Sequence, residues 1–340
     1  MNYDKIRMFE SERIKLKDKA TGKSYAKIIW FGEHSVVYGK PAIAIPIYSV
    51  DVIATIKRIP AGQQIHRRYF DGPIDEMADN LRGVKTLISH LINLFGAKGL
   101  GFDLDIKSKL PAERGMGSSA ATAIAIVRAF FDFFEVNLTR SQLLKLANVE
   151  EKITHGNPSG LDSATASSNM PIWFIRNEIN EQIDFNLPTS SLVIADSGIK
   201  GKTSEAVSLV HDNLVDEPES FQPLIDELGR IAETARNALA TTDDELLGQM
   251  MTQSQRDLAK LGVSNQTLDT FCQVACDNHA LGAKLTGSGL GGCVIALAKN
   301  QTDAQQISTA LRKAGATQTW IQSFKNYQFS TGEAHDNLVK

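Results

Sequence analysis

Residues 111–122 read PAERGMGSSAAT, a glycine and serine turn that runs into small and apolar residues. Gly115 and Gly117 can take backbone angles closed to other residues and let a ligand approach the main chain. Ser118 and Ser119 stand where a helix begins. The first N–H groups of a helix lack intrahelical partners and carry the positive end of its dipole, so an anion is a natural occupant. The stretch reads as a phosphate cradle, with an ordinary helix cap as the other reading open to it.

Two further segments bear on that choice. Residues 26–44, AKIIWFGEHSVVYGKPAIA, form a buried-type strand that breaks at Gly32 and presents Glu33 and His34. Residues 284–297, KLTGSGLGGCVIAL, are a second flexible glycine run feeding a β-type strand. Three such elements in this order resemble the three motifs of the GHMP small-molecule kinases, which include galactokinase, homoserine kinase, mevalonate kinase and phosphomevalonate kinase. GEHSVVYG at 32–39, HGNPSGLD at 155–162 and DSGIKGKT at 196–203 narrow the likeness to the members that phosphorylate mevalonate. The resemblance runs from about Ser24 to near the C-terminus.

Other phosphate motifs fail on spacing. Gly201-Lys202-Thr203 follows an apolar strand, but a P-loop needs a glycine five positions before Gly201, where Asp196 stands. No Gly-x-Gly-x-x-Gly opens an early strand-turn-helix unit.

A chain of 340 residues is long for one core and suits two domains. A net charge of −3 argues against nucleic acid or an anionic membrane as the main partner. Three cysteines, Cys272, Cys276 and Cys293, make no even disulfide framework and read as reduced and buried. The charged N-terminus has no apolar signal core and no apolar run reaches about 20 residues, so a cytoplasmic enzyme is expected.

Hydrophobic spacing predicts strands between Ala26 and Ile56, a helix over 80–95, a strand over 102–106, and helices over 119–134 and 140–154. A strand over 191–195 is followed by helices near 202–215, 221–240, 243–261 and 265–280, the strand unit at 285–297, and a closing strand near 319–324. This order indicates an α+β fold. Residues 1–23 read as a polar extension or an additional first strand, 24–190 as an N-terminal domain and 191–340 as a C-terminal domain. The resemblance implies the two-domain GHMP kinase fold: an N-terminal part like ribosomal protein S5 domain 2, a ferredoxin-like C-terminal part, and an active site in the cleft between them.

What remains is implied by the resemblance residue by residue. ATP and Mg²⁺ are the expected cofactors, with mevalonate the small-molecule substrate and isoprenoid precursor synthesis the setting. The nucleotide-binding set is Pro111, Gly115, Met116, Gly117, Ser118, Ser119 and Ala120. Ser119 and Glu151 match the pair that holds the metal, although Glu151 by itself reads as a solvated helix charge beside Glu150 and Lys152. Asp162, by itself a turn cap, matches the catalytic base, with Lys27 as the ammonium that keeps it ionised and steadies the migrating phosphoryl group. His34 and Thr203 match positions near the substrate, and Glu33 orders that site. Met116 replaces a usual leucine, a volume-conserving change, and Leu290 interrupts the third glycine run. Another GHMP kinase, acting on phosphomevalonate or a sugar, and a non-catalytic sensor on the same fold are the competing readings. The residues leave a monomer and a homodimer both open.

Overall fold

The computed structural model describes residues 16–111, 114–155, 159–178 and 180–326. The first strand, β1 (Lys19–Phe31), pairs with β2 (Ala42–Arg58). There follow β3 (Gln63–Arg67), β4 (Phe70–Pro73), α1 (Arg82–Leu94), β5 (Phe102–Ser108), α2 (Ser118–Phe133) and α3 (Arg140–His155). Next come α4 (Leu161–Ala166), β6 (Ile172–Phe174), β7 (Glu181–Gln182), β8 (Ser191–Asp196) and α5 (Thr203–Asp216). The remainder is α6 (Pro218–Ala240), α7 (Asp244–Lys260), α8 (Gln266–Asp277), β9 (Ala280–Thr286), β10 (Cys293–Ala298), α9 (Gln301–Lys313) and β11 (Gln318–Ser323).

The chain forms two compact units, each assembled from three stretches. One comprises the described residues of Met1–Ser24, Asp51–Lys109 and Ser119–Pro158, and the other those of Tyr25–Val50, Leu110–Ser118 and Ser159–Lys340. Both β1 and β2 therefore contribute residues to each unit.

In the first unit, β5 pairs antiparallel with Val52–Arg58 of β2 and parallel with β3, which pairs antiparallel with β4. The helical period in α1 buries Val84, Leu87, Ile88, Leu91 and Ile92, the one-sided stripe of an amphipathic helix. α2 is apolar almost all round and buried along most of its length, with Phe130 edge-on to Phe102 at 5.5 Å. Of residues 1–23, read as an extension or a first strand, 19–23 belong to β1. Its buried side there carries only Ala20, Gly22 and Ser24, so no hydrophobic alternation announces it. The extension assigned to residues 1–15 lies outside the described residues.

In the second unit, an antiparallel sheet runs β11-β8-β10-β9. All six residues of β8 and all six of β10 are buried, which explains their continuous apolar reading. Leu258, Phe271, Leu285, Val294, Ile307 and Leu311 share one core there. Side-chain caps start the helices: Asp243, Asn265 and Asn300 accept from the backbone N–H of Leu246, Leu268 and Asp303. Helix α9 and strands β3, β4, β6 and β7 have no counterpart in the sequence reading. Cys272 and Cys293 are buried, but Cys276, next to the end of α8, is exposed, which corrects the expectation for that thiol. No described helix is long and apolar enough to cross a membrane.

Helix α7 meets β9 backbone to backbone. A Cβ on Gly282 would overlap the Gly248 carbonyl, and one on Gly248 would overlap that of Leu281. Since the clash is with main chain, it cannot be relieved by a rotamer change, and Gly248→Ala is expected to cost about 2–3 kcal/mol. Urea melts should show the midpoint falling accordingly; an unchanged midpoint would contradict this packing.

Candidate active site

Between β5 and α2 the chain turns through Gly115 and Gly117, at φ +74° and +68°. Both angles lie in the left-handed region that side chains disfavour. Gly117 is also needed for space, because a Cβ there would lie 2.7 Å from Lys27 Cγ. Lys27 N–H donates to the Met116 carbonyl at 3.0 Å, so β1 and the turn are laced together along the lysine stem. The third glycine run packs on the same turn. A Cβ on Gly287 would be 3.1 Å from Gly115 Cα, and one on Gly292 would be 2.9 Å from the Arg114 carbonyl oxygen. Leu290 takes φ +55°, donates its N–H to the Val263 carbonyl at 2.8 Å, and packs against the core. It therefore anchors the run. Met116 and Ala120 are each 1% exposed, Pro111 is half-buried, and Ser118 opens α2.

Lys27 Nζ lies 2.8 Å from Asp162 Oδ1. The lysine side chain is 4% exposed and the aspartate 37%, so the aspartate side chain is partly open to solvent while the lysine side chain is buried. Gly160, at φ +86°, starts α4, and Leu161 and Ser163 are buried on either side of Asp162. Asp162 is the one residue of α4 that is not buried. Gly156, Asn157 and Pro158 of the same motif, and the side chain of His155, lie outside the described residues.

Beyond β1 the backbone reverses at Gly32, φ +94°, where a Cβ would press on Pro41 and Ala42. His34 follows at φ +60°, an uncommon angle for a residue with a side chain, and is held there by its partners. Its Nε2 lies 2.9 Å from the Ser288 carbonyl. A carbonyl only accepts, so Nε2 carries the proton and Nδ1 is left as an acceptor. Glu33 is fully buried and ion-paired with Lys284, also fully buried, whose ammonium donates in addition to the Leu285 carbonyl at 2.8 Å. Burial pushes the Glu33 carboxyl up and the Lys284 ammonium down, and the pairing opposes both shifts. Thr203, at the start of α5, places its hydroxyl 3.2 Å from that of Ser288. Ser288 therefore touches both His34 and Thr203.

Arg114 pairs with Asp196, Nε to Oδ1 at 2.9 Å, and donates to the Gly198 carbonyl at 3.1 Å. The Ser197 hydroxyl donates to the Gly292 carbonyl at 2.7 Å. These bonds join the phosphate turn, the 196–203 segment and the third glycine run. The sequence reading assigned no role to Lys284, Arg114 or the Ser288 side chain. A lone lysine inside an otherwise apolar strand was the available signal for Lys284.

In the first unit, the Ser119 hydroxyl donates to the Glu150 carboxylate, 2.6 Å from Oε1 and 2.5 Å from Oε2. The carboxylate that faces Ser119 is thus one residue before the glutamate that the resemblance assigns to the metal. Glu151 is 2% exposed and Glu150 3%, so neither is a solvated helix charge. Among the described residues no cluster of three or more His, Cys, Asp and Glu side chains forms a metal site by itself.

Comparison with known proteins fits this arrangement. The family model for the GHMP kinases N terminal domain matches residues 82–169, and that for the GHMP kinases C terminal matches residues 235–317. The mevalonate kinase of Pyrococcus furiosus is 32% identical over 320 residues, which cover 88% of this chain and 94% of that protein. That of Thermococcus sibiricus is 33% identical over 314 residues, covering 85% and 92%. The crystal structure of L. major mevalonate kinase in complex with R-mevalonate superposes with a TM-score of 0.81 at 29% identity, covering 92% of this chain and 99% of that one. The chain belongs to the GHMP kinases and has their two-domain α+β fold.

Burial above all lowers the His34 pKa from 6.5 to about 4; the Ser288 carbonyl works against this shift and the Lys284 ammonium adds to it. The unfolded chain then takes up a proton near pH 6.5 that the folded chain refuses until about pH 4. His34 thus leaves stability unchanged above pH 6.5, erodes it as pH falls through that window, and adds no further loss below about 4. At about 1.4 kcal/mol per pH unit the erosion totals about 3 kcal/mol. Urea melts from pH 7.5 to 4 should show His34→Gln losing less stability than the parent by about that amount; parallel losses would contradict the buried neutral imidazole.

Proposed function

We propose that this GHMP kinase transfers the γ-phosphoryl group of ATP to the primary hydroxyl of mevalonate, giving 5-phosphomevalonate and ADP. The observation that carries the reading is the 2.8 Å pair of a buried lysine and a solvent-reaching aspartate, with the lysine stem lying against the glycine turn. Support for the substrate comes from the names of the relatives and from the Glu33, His34 and Thr203 positions.

Asp162 accepts the proton of the attacking hydroxyl. The hydroxyl oxygen forms the new bond to the γ-phosphorus as the bond from phosphorus to the ADP oxygen breaks, and Asp162 then releases its proton to solvent. Lys27, 2.8 Å from that carboxylate, offers its charge to the equatorial oxygens of the migrating group. The backbone of the 115–119 turn receives the phosphates. Neutral His34 presents Nδ1 as an acceptor for a substrate hydroxyl, and Thr203 supplies a hydroxyl at the same Ser288-linked corner.

Magnesium takes hard oxygen ligands, usually one or two from protein, with the rest from water and phosphates. The Ser119 hydroxyl and the buried Glu151 carboxylate are hard oxygen donors of that kind and are the residues that would hold the ion. When bound, it neutralises charge on the phosphate oxygens.

Asp162→Asn and Lys27→Met should each lower turnover by about 10²–10⁴-fold. Their circular dichroism spectra and affinity for an ATP analogue should stay near those of the parent. Near-normal turnover in either variant would overturn the assigned roles.

A further inference from the structure

The Ser119 hydroxyl owns one proton and gives it to Glu150. A serine inside a helix commonly turns its hydroxyl back onto the carbonyl one turn earlier. Ser119, the second residue of α2, has no such intrahelical carbonyl, so its rotamer needs another determinant. Glu150 supplies one: both of its oxygens lie within 2.6 Å of the serine oxygen.

The carboxylate is itself fixed. Thr154, one turn further along α3, donates its hydroxyl to Glu150 Oε1 at 2.7 Å. The start of α1 closes over the pair at Gly83, where a Cβ would lie 2.7 Å from Thr154 Oγ1 and 2.9 Å from Glu150 Oε1. Glu150 is left 3% exposed. The Glu150 charge also stabilises the guanidinium of Arg67, whose burial pushes the other way, so the buried negative charge has a nearby cation. Every feature of this pocket serves a carboxylate that accepts from hydroxyls.

We propose that Glu150 is a positioning residue for the metal site: by holding the Ser119 proton it turns the serine lone pairs away from itself and toward the cation. The inference rests on the reading of Ser119 as a metal-holding residue. Glu150 differs in role from Glu151, which the resemblance alone assigns to the cation. Partners of this kind, one shell out from a ligand, typically carry about 10–100-fold of metal affinity.

The test uses the full chain with the β,γ-imido analogue of ATP and Mn²⁺ as the probe cation, free Mn²⁺ being counted by its electron paramagnetic resonance signal. Glu150→Gln should weaken Mn²⁺ binding by about tenfold or more, and Thr154→Val should weaken it by a smaller factor. Because Glu150 acts through Ser119, the double variant Ser119→Ala with Glu150→Gln should bind no more weakly than Ser119→Ala alone. Parent-like affinity in Glu150→Gln overturns the proposal, as does a loss in the double variant equal to the product of the two single losses, which would make Glu150 a ligand in its own right. Parent-like affinity in Ser119→Ala overturns the metal reading of Ser119 and the inference with it, a result distinct from the other two. Should thermal melts show Glu150→Gln unfolded, Thr154→Val carries the test, and unchanged Mn²⁺ affinity there overturns the proposal.

Discussion

A lysine side chain almost wholly withdrawn from water needs an oppositely charged partner, and in this protein that constraint falls on Lys27. Losing hydration costs several kcal/mol per ion unless an oppositely charged, well-placed partner offsets it. Asp162 meets the requirement at 2.8 Å. The lysine reaches it only because Gly117 has no side chain in the way and because its own N–H is bonded to Met116. One residue of β1 thereby ties the phosphate turn and the start of α4 to each other.

The same logic recurs at Glu33 and Lys284, where both partners are fully buried. A pair of this kind adds little net stability relative to apolar residues of similar volume, yet removing either partner strands a charge. Its consequence is placement. It pins the Gly32–Ser35 reversal onto β9, and two residues beyond β9 Ser288 takes the His34 proton donor and meets the Thr203 hydroxyl. Around it the glycine runs pack main chain on main chain, Gly287 on Gly115 and Gly292 on Arg114, at separations that leave no room for Cβ atoms.

What the sequence made legible follows from the range of the signal. Glycine and serine before an apolar helix is local chemistry, and α2 begins at Ser118 as the turn demands. The spacing in α1 and the apolar runs of β8 and β10 are likewise local, and these elements fall within a few residues of expectation. Strand β1 was legible only from Ala26 because Ala20, Gly22 and Ser24 face inward where large apolar residues would have marked it. Helix α9 escaped notice because few of its residues are apolar: Ala304, Ile307 and Leu311 carry its buried stripe. Long-range pairs other than Lys27 with Asp162, which the resemblance supplied, were out of reach, since nothing near Lys284 in sequence points to Glu33 or near Arg114 to Asp196. Glu150 and Glu151 are adjacent carboxylates on one helix, and the resemblance selects Glu151; only the fold brings Glu150 against Ser119.

The central claim is that the pair of Lys27 and Asp162 serves phosphoryl transfer to mevalonate. It is tested most directly by ADP release from magnesium-ATP in the presence of mevalonate, phosphomevalonate, galactose or homoserine in parallel. Turnover confined to mevalonate is the predicted result. Turnover on one of the other three in preference to mevalonate would contradict the assignments of His34 and Thr203, and silence on all four would contradict the enzyme reading itself.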